Sequence, residues 1–264
     1  MVDSRLDTAL GERGLARSRT HAARLISDGL VTVDGIPQVK PSFKVRESQT
    51  VVVAGDDHYV SRAAHKLIAA LDAFGVPVEG RQALDVGAST GGFSQVLLER
   101  GASHVIALDV GHDQMSPQVA AEARLTLVEG VNARYLTPEL LAQKAGAEVS
   151  PSLVVADLSF IALPTVLPAL VETVGTGADY VLLVKPQFEV GRTGIKEGIV
   201  RDGNLRREAV AAVCWAGWDS KLGTAGVMSS PIAGSAGNLE YLVWLSASVG
   251  TNPTEWLERI SALA

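Results

Sequence analysis

Cysteine is almost absent from the chain: its 264 residues include one, Cys214. A lone thiol closes no internal disulfide and builds no thiolate metal site. Its setting in the apolar, helix-like stretch from Ala211 to Ala216 marks it as a buried and inert side chain. Long apolar runs are missing too. The most apolar stretch, Leu158 to Val171, carries Pro164 and Pro168 and falls short of the roughly 20 residues that a membrane span needs. Met1 to Leu6 lack the apolar segment of a secretory signal. An excess of positive charge is also lacking, since the formal net charge is −6, and taken whole that argues against a polyanionic partner. What is present is a 47 % apolar composition with 20 % charged residues, enough for a real core and incompatible with wholesale disorder. The expectation is a soluble cytoplasmic protein with no membrane segment and no bound metal, built as one large domain or as one domain of ordinary size plus a small one.

The charge is uneven. Residues 1–66 hold ten Lys/Arg against eight Asp/Glu, whereas the remainder holds thirteen against twenty-one. The N-terminal segment reads as a short helix from Arg5 to Glu12, interrupted at Gly14, and a second helix capped by Ser18 with Ala22, Leu25 and Ile26 on one face. Two short strands follow about an Asp34-Gly35 turn, and Thr50 to Val53 supplies another. Arg5, Arg17, Arg19 and Arg24 lie on or beside the helices, with Lys40 and Lys44 just after the hairpin. A guanidinium fork matches phosphate oxygens, so these six are candidate RNA contacts, set against the alternative of a solvated helix face. The order of elements, with Arg5-Leu6-Asp7, Ser18-Arg19-Thr20 and Leu30 to Gly35, resembles the S4 RNA-binding domain over about fifty residues.

From Ala64 the pattern changes to alternating helices and short apolar strands, the latter at Gln82–Asp85, His104–Asp109, Leu125–Glu129, Leu153–Asp157 and Tyr180–Lys185. Ser116-Pro117 and Thr137-Pro138 are cap-plus-proline helix starts. Such alternation implies a parallel sheet covered on both faces, with ligands outside the carboxyl ends of the strands. Four of the strands end in charge at that edge: Asp85, Asp109, Asp157 and Lys185. The turn after the first strand, Asp85 to Phe93, has glycines at 87, 91 and 92. Ser89 stands where a dinucleotide loop has its second glycine, which disfavours a pyrophosphate site. The spacing instead resembles the donor loop of S-adenosylmethionine-dependent methyltransferases. That resemblance implies that Asp85 and the loop residues Gly87, Ser89, Thr90, Gly91, Gly92 and Phe93 hold the methionine end of the donor. It implies further that Asp109 accepts from the ribose hydroxyls and that Asn132 or Glu129 approaches the adenine.

Lys185 is costly to bury alone, and Asp157 on the neighbouring strand is a natural partner. If the segment from Tyr241 runs antiparallel to the other strands, Glu240 starts at the same edge, and Lys66 lies on the helix leading into the sheet. Two amines and two carboxylates suit methyl transfer to a ribose 2′-hydroxyl, a poor nucleophile until its proton is removed. In line with this, Tyr59 to Leu67, Ala83 to Phe93, Ala156 to Ile161, Leu183 to Glu189 and Gly237 to Glu240 resemble the TlyA family nearly end to end and in order. The resemblance implies an α/β fold: a Rossmann-like class I methyltransferase sheet, mostly parallel with one antiparallel strand, in residues 65–264. It implies an α+β S4 domain in 1–58 and a linker in 59–64 whose motif, at Ser61 to Ala64, influences donor binding. It also implies S-adenosylmethionine as donor, cytidine 2′-hydroxyls of ribosomal RNA within ribosomal subunits as substrate, and Lys66, Asp157, Lys185 and Glu240 as a catalytic tetrad. Two other classes compete: an RNA-binding protein with an inactive methyltransferase-like domain, and a membrane-lytic haemolysin. The glycine-rich stretch 189–203, with Arg192, Lys196 and Arg201, is either a lid over RNA or a plain surface loop.

Overall fold

The computed structural model describes residues 4–16, 18–27, 29–53, 58–191, 198–234 and 237–264. The chain divides into two compact units, Met1–His58 and Tyr59–Ala264. Residues 59–64, expected as a linker, fall in the second unit, where Val60 N donates to Gln95 Oε1 at 2.9 Å.

In the first unit β1 (Ser4–Arg5) leads into α1 (Leu6–Glu12) and α2 (Arg19–Ser27), followed by β2 (Val31–Val33), β3 (Ile36–Gln38), β4 (Lys44–Val45) and β5 (Val51–Val53). Ser18 caps α2 as its sequence position implies, its Oγ accepting from His21 N at 3.1 Å. The β2–β3 turn needs left-handed backbone at both central positions, and Asp34 (φ 52°) and Gly35 (φ 81°) supply it. Leu6 and Leu10 of α1 and Ala22, Leu25 and Ile26 of α2 close over Val31, Val33, Val45 and Val51. Each fully buried aliphatic side chain of this small core contributes about 1.5–3 kcal/mol. The pairing of β1 with β4 was not foreseen, because two-residue strands leave no periodic signal.

The second unit opens with α3 (Ala63–Phe74). There follow β6 (Gln82–Val86), α4 (Gly92–Glu99), β7 (His104–Leu108), α5 (Pro117–Ala120), β8 (Leu125–Val128), α6 (Pro138–Ala145), β9 (Leu153–Ala156) and α7 (Leu163–Val174). The rest is β10 (Asp179–Val184), α8 (Pro186–Glu189), α9 (Gly203–Asp219), β11 (Gly223–Ser229), β12 (Tyr241–Ser246) and α10 (Leu257–Leu263). The seven strands lie in the order β11-β12-β10-β9-β6-β7-β8, and β12 runs antiparallel to both neighbours. The expected mostly parallel sheet with one antiparallel strand is therefore observed. Alternation along β9 shows how the sheet is covered: Leu153 and Val155 pack with α3 and α4, whereas Val154 and Ala156 pack with α7. Thr137 caps α6 through Leu140 N (3.2 Å), but Ser116 makes no side-chain cap and α5 stops after four residues. Strand β11, rich in small residues, and α10 were not anticipated; β11 is held by its register with β12 rather than by an apolar pattern of its own.

Candidate active site

The first strand of the second unit, β6, has β7 on one side and β9 on the other, so the chain reverses its winding direction there and leaves a crevice at the carboxyl ends. The glycine loop fills the start of that crevice. Gly87 (φ 83°) lets the loop lie against β9, since a Cβ there would come within 2.7 Å of Asp157 O. A Cβ at Gly91 would strike Met115 and one at Gly92 would meet Ser61 Cβ at 2.7 Å. These glycines thus permit close packing of the loop against the protein around it. The contact between Gly92 and Ser61 also brings the 61–64 segment directly onto the donor-type loop. Ser89, at the position of the absent second glycine, adopts φ 46° itself.

A cleft of about 500 Å³ opens beside this loop, with Ser89, Asp109 and Asn132 on its polar side and Leu108, Ile161 and Val166 on its apolar side. Its size and mixed lining fit a nucleoside-bearing donor. Asp109 Oδ2 accepts from Ser89 N (2.8 Å) and Oδ1 from Gly111 N (2.7 Å), which aims the carboxylate and leaves lone pairs for two further donors. Asn132 Oδ1 caps the short turn that follows by accepting from Arg134 N at 3.0 Å, while Glu129 Oε1 is engaged by Asp113 N at 2.9 Å. Of the two adenine-side candidates, Asn132 lines the cleft.

Asp85 departs from expectation. It lies inside β6, one residue short of the strand's end, and is fully buried. Ser94 Oγ donates to its Oδ2 at 2.7 Å, while its Oδ1 is buried without a hydrogen-bond partner. Burial pushes this carboxyl up to about 7, against the Ser94 hydrogen bond and with help from the nearby charge of Asp157. It is a buried acid beneath the loop rather than a charged strand end.

Asp157, one residue past β9, and Lys185, one past β10, meet as foreseen: Nζ lies 2.5 Å from Asp157 Oδ1. That contact is off the hydrogen-bond direction; the ammonium donates instead to Ser159 Oγ at 3.0 Å. Both charged groups border a second, smaller hollow of about 150 Å³ that shares Gly87 and Ser89 with the donor-sized cleft. The β10–β12 register pairs Val184 with Tyr241, which puts Glu240 across from Lys185. Glu240 Oε2 receives Lys66 Nζ from α3 at 2.5 Å, and both residues are buried. All four members of the expected tetrad are therefore at the carboxyl edge, organised as two ion pairs.

Three residues at this edge escaped sequence reasoning. Ser159 was hidden because a loop serine carries no distinctive signal. Phe160 is 90 % exposed, holds φ 65° and stands 5.1 Å, centroid to centroid, from Phe188. Glu189 accepts from Leu163 N at 3.1 Å. The motifs Asp157-Leu158-Ser159-Phe160 and Lys185 to Glu189 contained them, but only the fold pairs the two loops.

In the first unit, the candidate cations are partly engaged with one another through an acid. Arg5 donates to both oxygens of Asp7 (3.0 and 2.9 Å) and Arg19 Nε donates to Oδ2 at 3.2 Å. Asp7 itself is buried, and these guanidinium contacts, Arg5 first, hold its carboxyl down to about 2. Arg19, Arg24, Lys40 and Lys44 are exposed. Arg17 lies outside the described residues, as do Arg192 and Lys196 of the glycine-rich stretch read as either a lid or a plain surface loop. Among the described residues no cluster of three or more His, Cys, Asp or Glu is poised for a metal, and no helix is long and apolar enough to cross a membrane.

Fold and site together define an α/β group-transfer domain with a nucleoside-sized cleft at its carboxyl edge, joined to a small helix-and-hairpin unit. Residues 59–247 match the family of FtsJ-like methyltransferases and residues 4–51 match the S4 domain. The chain belongs to the TlyA family: it is 49 % identical over 245 residues to the 16S/23S rRNA (cytidine-2′-O)-methyltransferase TlyA of Mycobacterium tuberculosis, covering 92 % of this chain and 89 % of that one. It is 36 % identical to Hemolysin A of Brachyspira hyodysenteriae over 90 % of this chain and 98 % of the relative. A solved Streptococcus thermophilus structure described as a hemolysin superposes with a TM-score of 0.75 at 35 % identity, covering 99 % of this chain and 95 % of that one.

Proposed function

We propose that the chain transfers a methyl group from S-adenosylmethionine to the ribose 2′-hydroxyl of a cytidine in ribosomal RNA, working in the cytoplasm on ribosomal subunits. The observation that carries this is the pair of Lys–carboxylate contacts at the edge of a cleft sized for the donor. When bound, the donor supplies an electrophilic methyl group. Asp109 receives the ribose hydroxyls of the donor with its remaining lone pairs, the loop from Gly87 to Phe93 with the acid of Asp85 beneath it borders the methionine end, and Asn132 lies on the adenine side. With the donor bound, the 2′-oxygen of the substrate would take the methyl group from sulfur while its proton passes to the Asp157 carboxylate, the open acceptor of the Lys185–Asp157 pair, beside the ammonium that holds it. Ser159 holds the amine in place for this, and the buried Lys66–Glu240 pair ties α3 to the start of β12 so that the edge keeps its shape. Phe160, an exposed aromatic ring at this edge, offers a stacking surface to an unstacked base. Arg5, Arg19, Arg24, Lys40 and Lys44 of the first unit, with Arg17, contact RNA phosphates.

The test is transfer of a tritiated methyl group to separated ribosomal subunits, followed by mapping of the product. Label on a cytidine 2′-oxygen is expected; label on a base, or no incorporation into either subunit, overturns the proposal. The names of the Brachyspira and Streptococcus relatives favour a second activity, membrane lysis. Leakage of dye from liposomes on addition of the chain would support it, and intact liposomes would remove it.

A further inference from the structure

The loop after β9 and the turn after β10 are joined at three successive points. Lys185 Nζ reaches Asp157 and Ser159, Phe188 packs against Phe160, and Glu189 Oε1 accepts from Leu163 N at 3.1 Å. The first of these belongs to the catalytic edge, and the second ends in an exposed ring. The third has no chemistry assigned to it.

We propose that Glu189 is a positioning residue: its carboxyl clasps the first turn of α7 and so holds Phe160 in the left-handed, outward pose in which it meets an RNA base, a role that rests on the site taking a nucleotide. Helix α7 has no cap of its own, because Ala162 stands at the capping position and offers no side-chain acceptor. Glu189 supplies the acceptor from 26 positions further along the chain. Left-handed backbone at a phenylalanine is strained, and such strain persists only where neighbouring contacts over-determine it. Phe160 sits two residues before the cap, between the fixed Ser159 and the clasped Leu163. With the clasp removed, the segment from Leu158 to Ala162 keeps the Lys185–Ser159 and Phe188–Phe160 contacts and the packing of Leu158 and Ile161 on the core, but loses the fixed start of α7 beside Phe160. Burial pushes the Glu189 carboxyl up to about 7, so the neutral acid and the carboxylate are both populated near neutrality and both can accept through Oε1. A neutral glutamine is therefore an adequate replacement, whereas alanine is not.

The experiment uses the full chain with Glu189→Ala, Glu189→Gln, Phe160→Ala and the double variant Glu189→Ala/Phe160→Ala. Amide hydrogen exchange across 158–163 is expected to speed up in Glu189→Ala and to stay as in the wild type in Glu189→Gln. Methylation of ribosomal RNA is expected to lose about tenfold in kcat/KM in Glu189→Ala. Most of that loss is recovered in Glu189→Gln. Because Glu189 acts through Phe160, the double variant should be no worse than Phe160→Ala alone. Unchanged exchange in Glu189→Ala, or additive losses in the double variant, each overturn the assignment. Should Glu189→Ala fail to fold, Glu189→Asp, too short to reach Leu163, carries the same comparison. A wild-type chain that transfers no methyl group overturns the proposed function instead, and the exchange result then decides the clasp by itself.

Discussion

Acidic residues do opposite work in the two units. In the first, Asp7 is buried among cations: Arg5 and Arg19 both donate to it, its carboxyl is held down to about 2, and the guanidinium groups remain at the surface. In the second, Asp85 and Glu189 are screened from water and receive only neutral donors, the Ser94 hydroxyl and the Leu163 amide, so both are pushed up to about 7. One carboxylate is kept charged so that it can orient arginines at the surface. The other two, Asp85 buried and Glu189 half-buried, are pushed toward neutrality by being screened from water beside a site whose working charges are the Lys66–Glu240 and Lys185–Asp157 pairs. A surface that recognises a polyanion needs exposed cations in fixed directions. A site that moves a proton needs a few ions and little else charged around them.

If this division is real, changes in the second unit strike turnover and those in the first strike affinity. The largest effect is expected for Lys185→Ala, which removes the amine beside the glycine loop. Methyl transfer should fall by roughly 10²–10⁴-fold, the range of a lost acid–base group, with donor binding by calorimetry retained; full activity would remove Lys185 from the chemistry. Glu240→Ala strands a buried ammonium. Denaturant unfolding should show a loss on the order of 3–5 kcal/mol, with activity falling as the edge loosens. Replacing Lys40 and Lys44 together by alanine should leave kcat intact and weaken RNA binding. The plot of log affinity against log salt should lose roughly 0.7–0.9 of slope per phosphate contact removed; an unaltered slope would exclude both lysines from the interface.

The smallest effect concerns pH and separates the two kinds of acid by sign. The Asp7 carboxyl is depressed in the folded state, so its contribution is present above the ordinary carboxylate range near 4 and is lost as pH falls toward about 2. Asp85 and Glu189 are raised, so their contribution is greatest below about 4 and is lost as pH climbs to about 7. Asp7→Asn should therefore lower stability at neutral pH by on the order of 1 kcal/mol, discounted for the exposure of its arginines, and have little effect near pH 2. Asp85→Asn should flatten the decline between about pH 4 and 7. Denaturant midpoints across a pH series would check both, and parallel pH curves for the two variants would contradict the contrast.

Much of the second unit could be read directly from the chain. Short apolar strands such as Leu153–Ala156 and Asp179–Val184 are each followed by a charged residue, and a parallel sheet must gather those ends on one edge. Asp157 and Lys185 were legible as partners for that reason, and Glu240 became one once the direction of β12 was supposed. In the first unit the Asp34-Gly35 turn and the Ser18 cap were equally plain, because turn and cap chemistry is local. Less legible was anything that depended on two distant segments meeting. The burial of Asp85 within β6, the engagement of Arg5 and Arg19 by Asp7, the clasp of Leu163 by Glu189 and the left-handed pose of Phe160 leave no periodic trace.

Pattern, spacing and capping are properties of neighbouring residues, and these determined most of the elements and the charged strand ends at the sheet edge, but not β11, α10 or the β1–β4 pairing. Which oxygen is paired and which acid is neutral were settled only by packing. So was the direction in which an aromatic ring points. Burial and ion pairing are long-range quantities, set by the company a side chain keeps after the chain has closed.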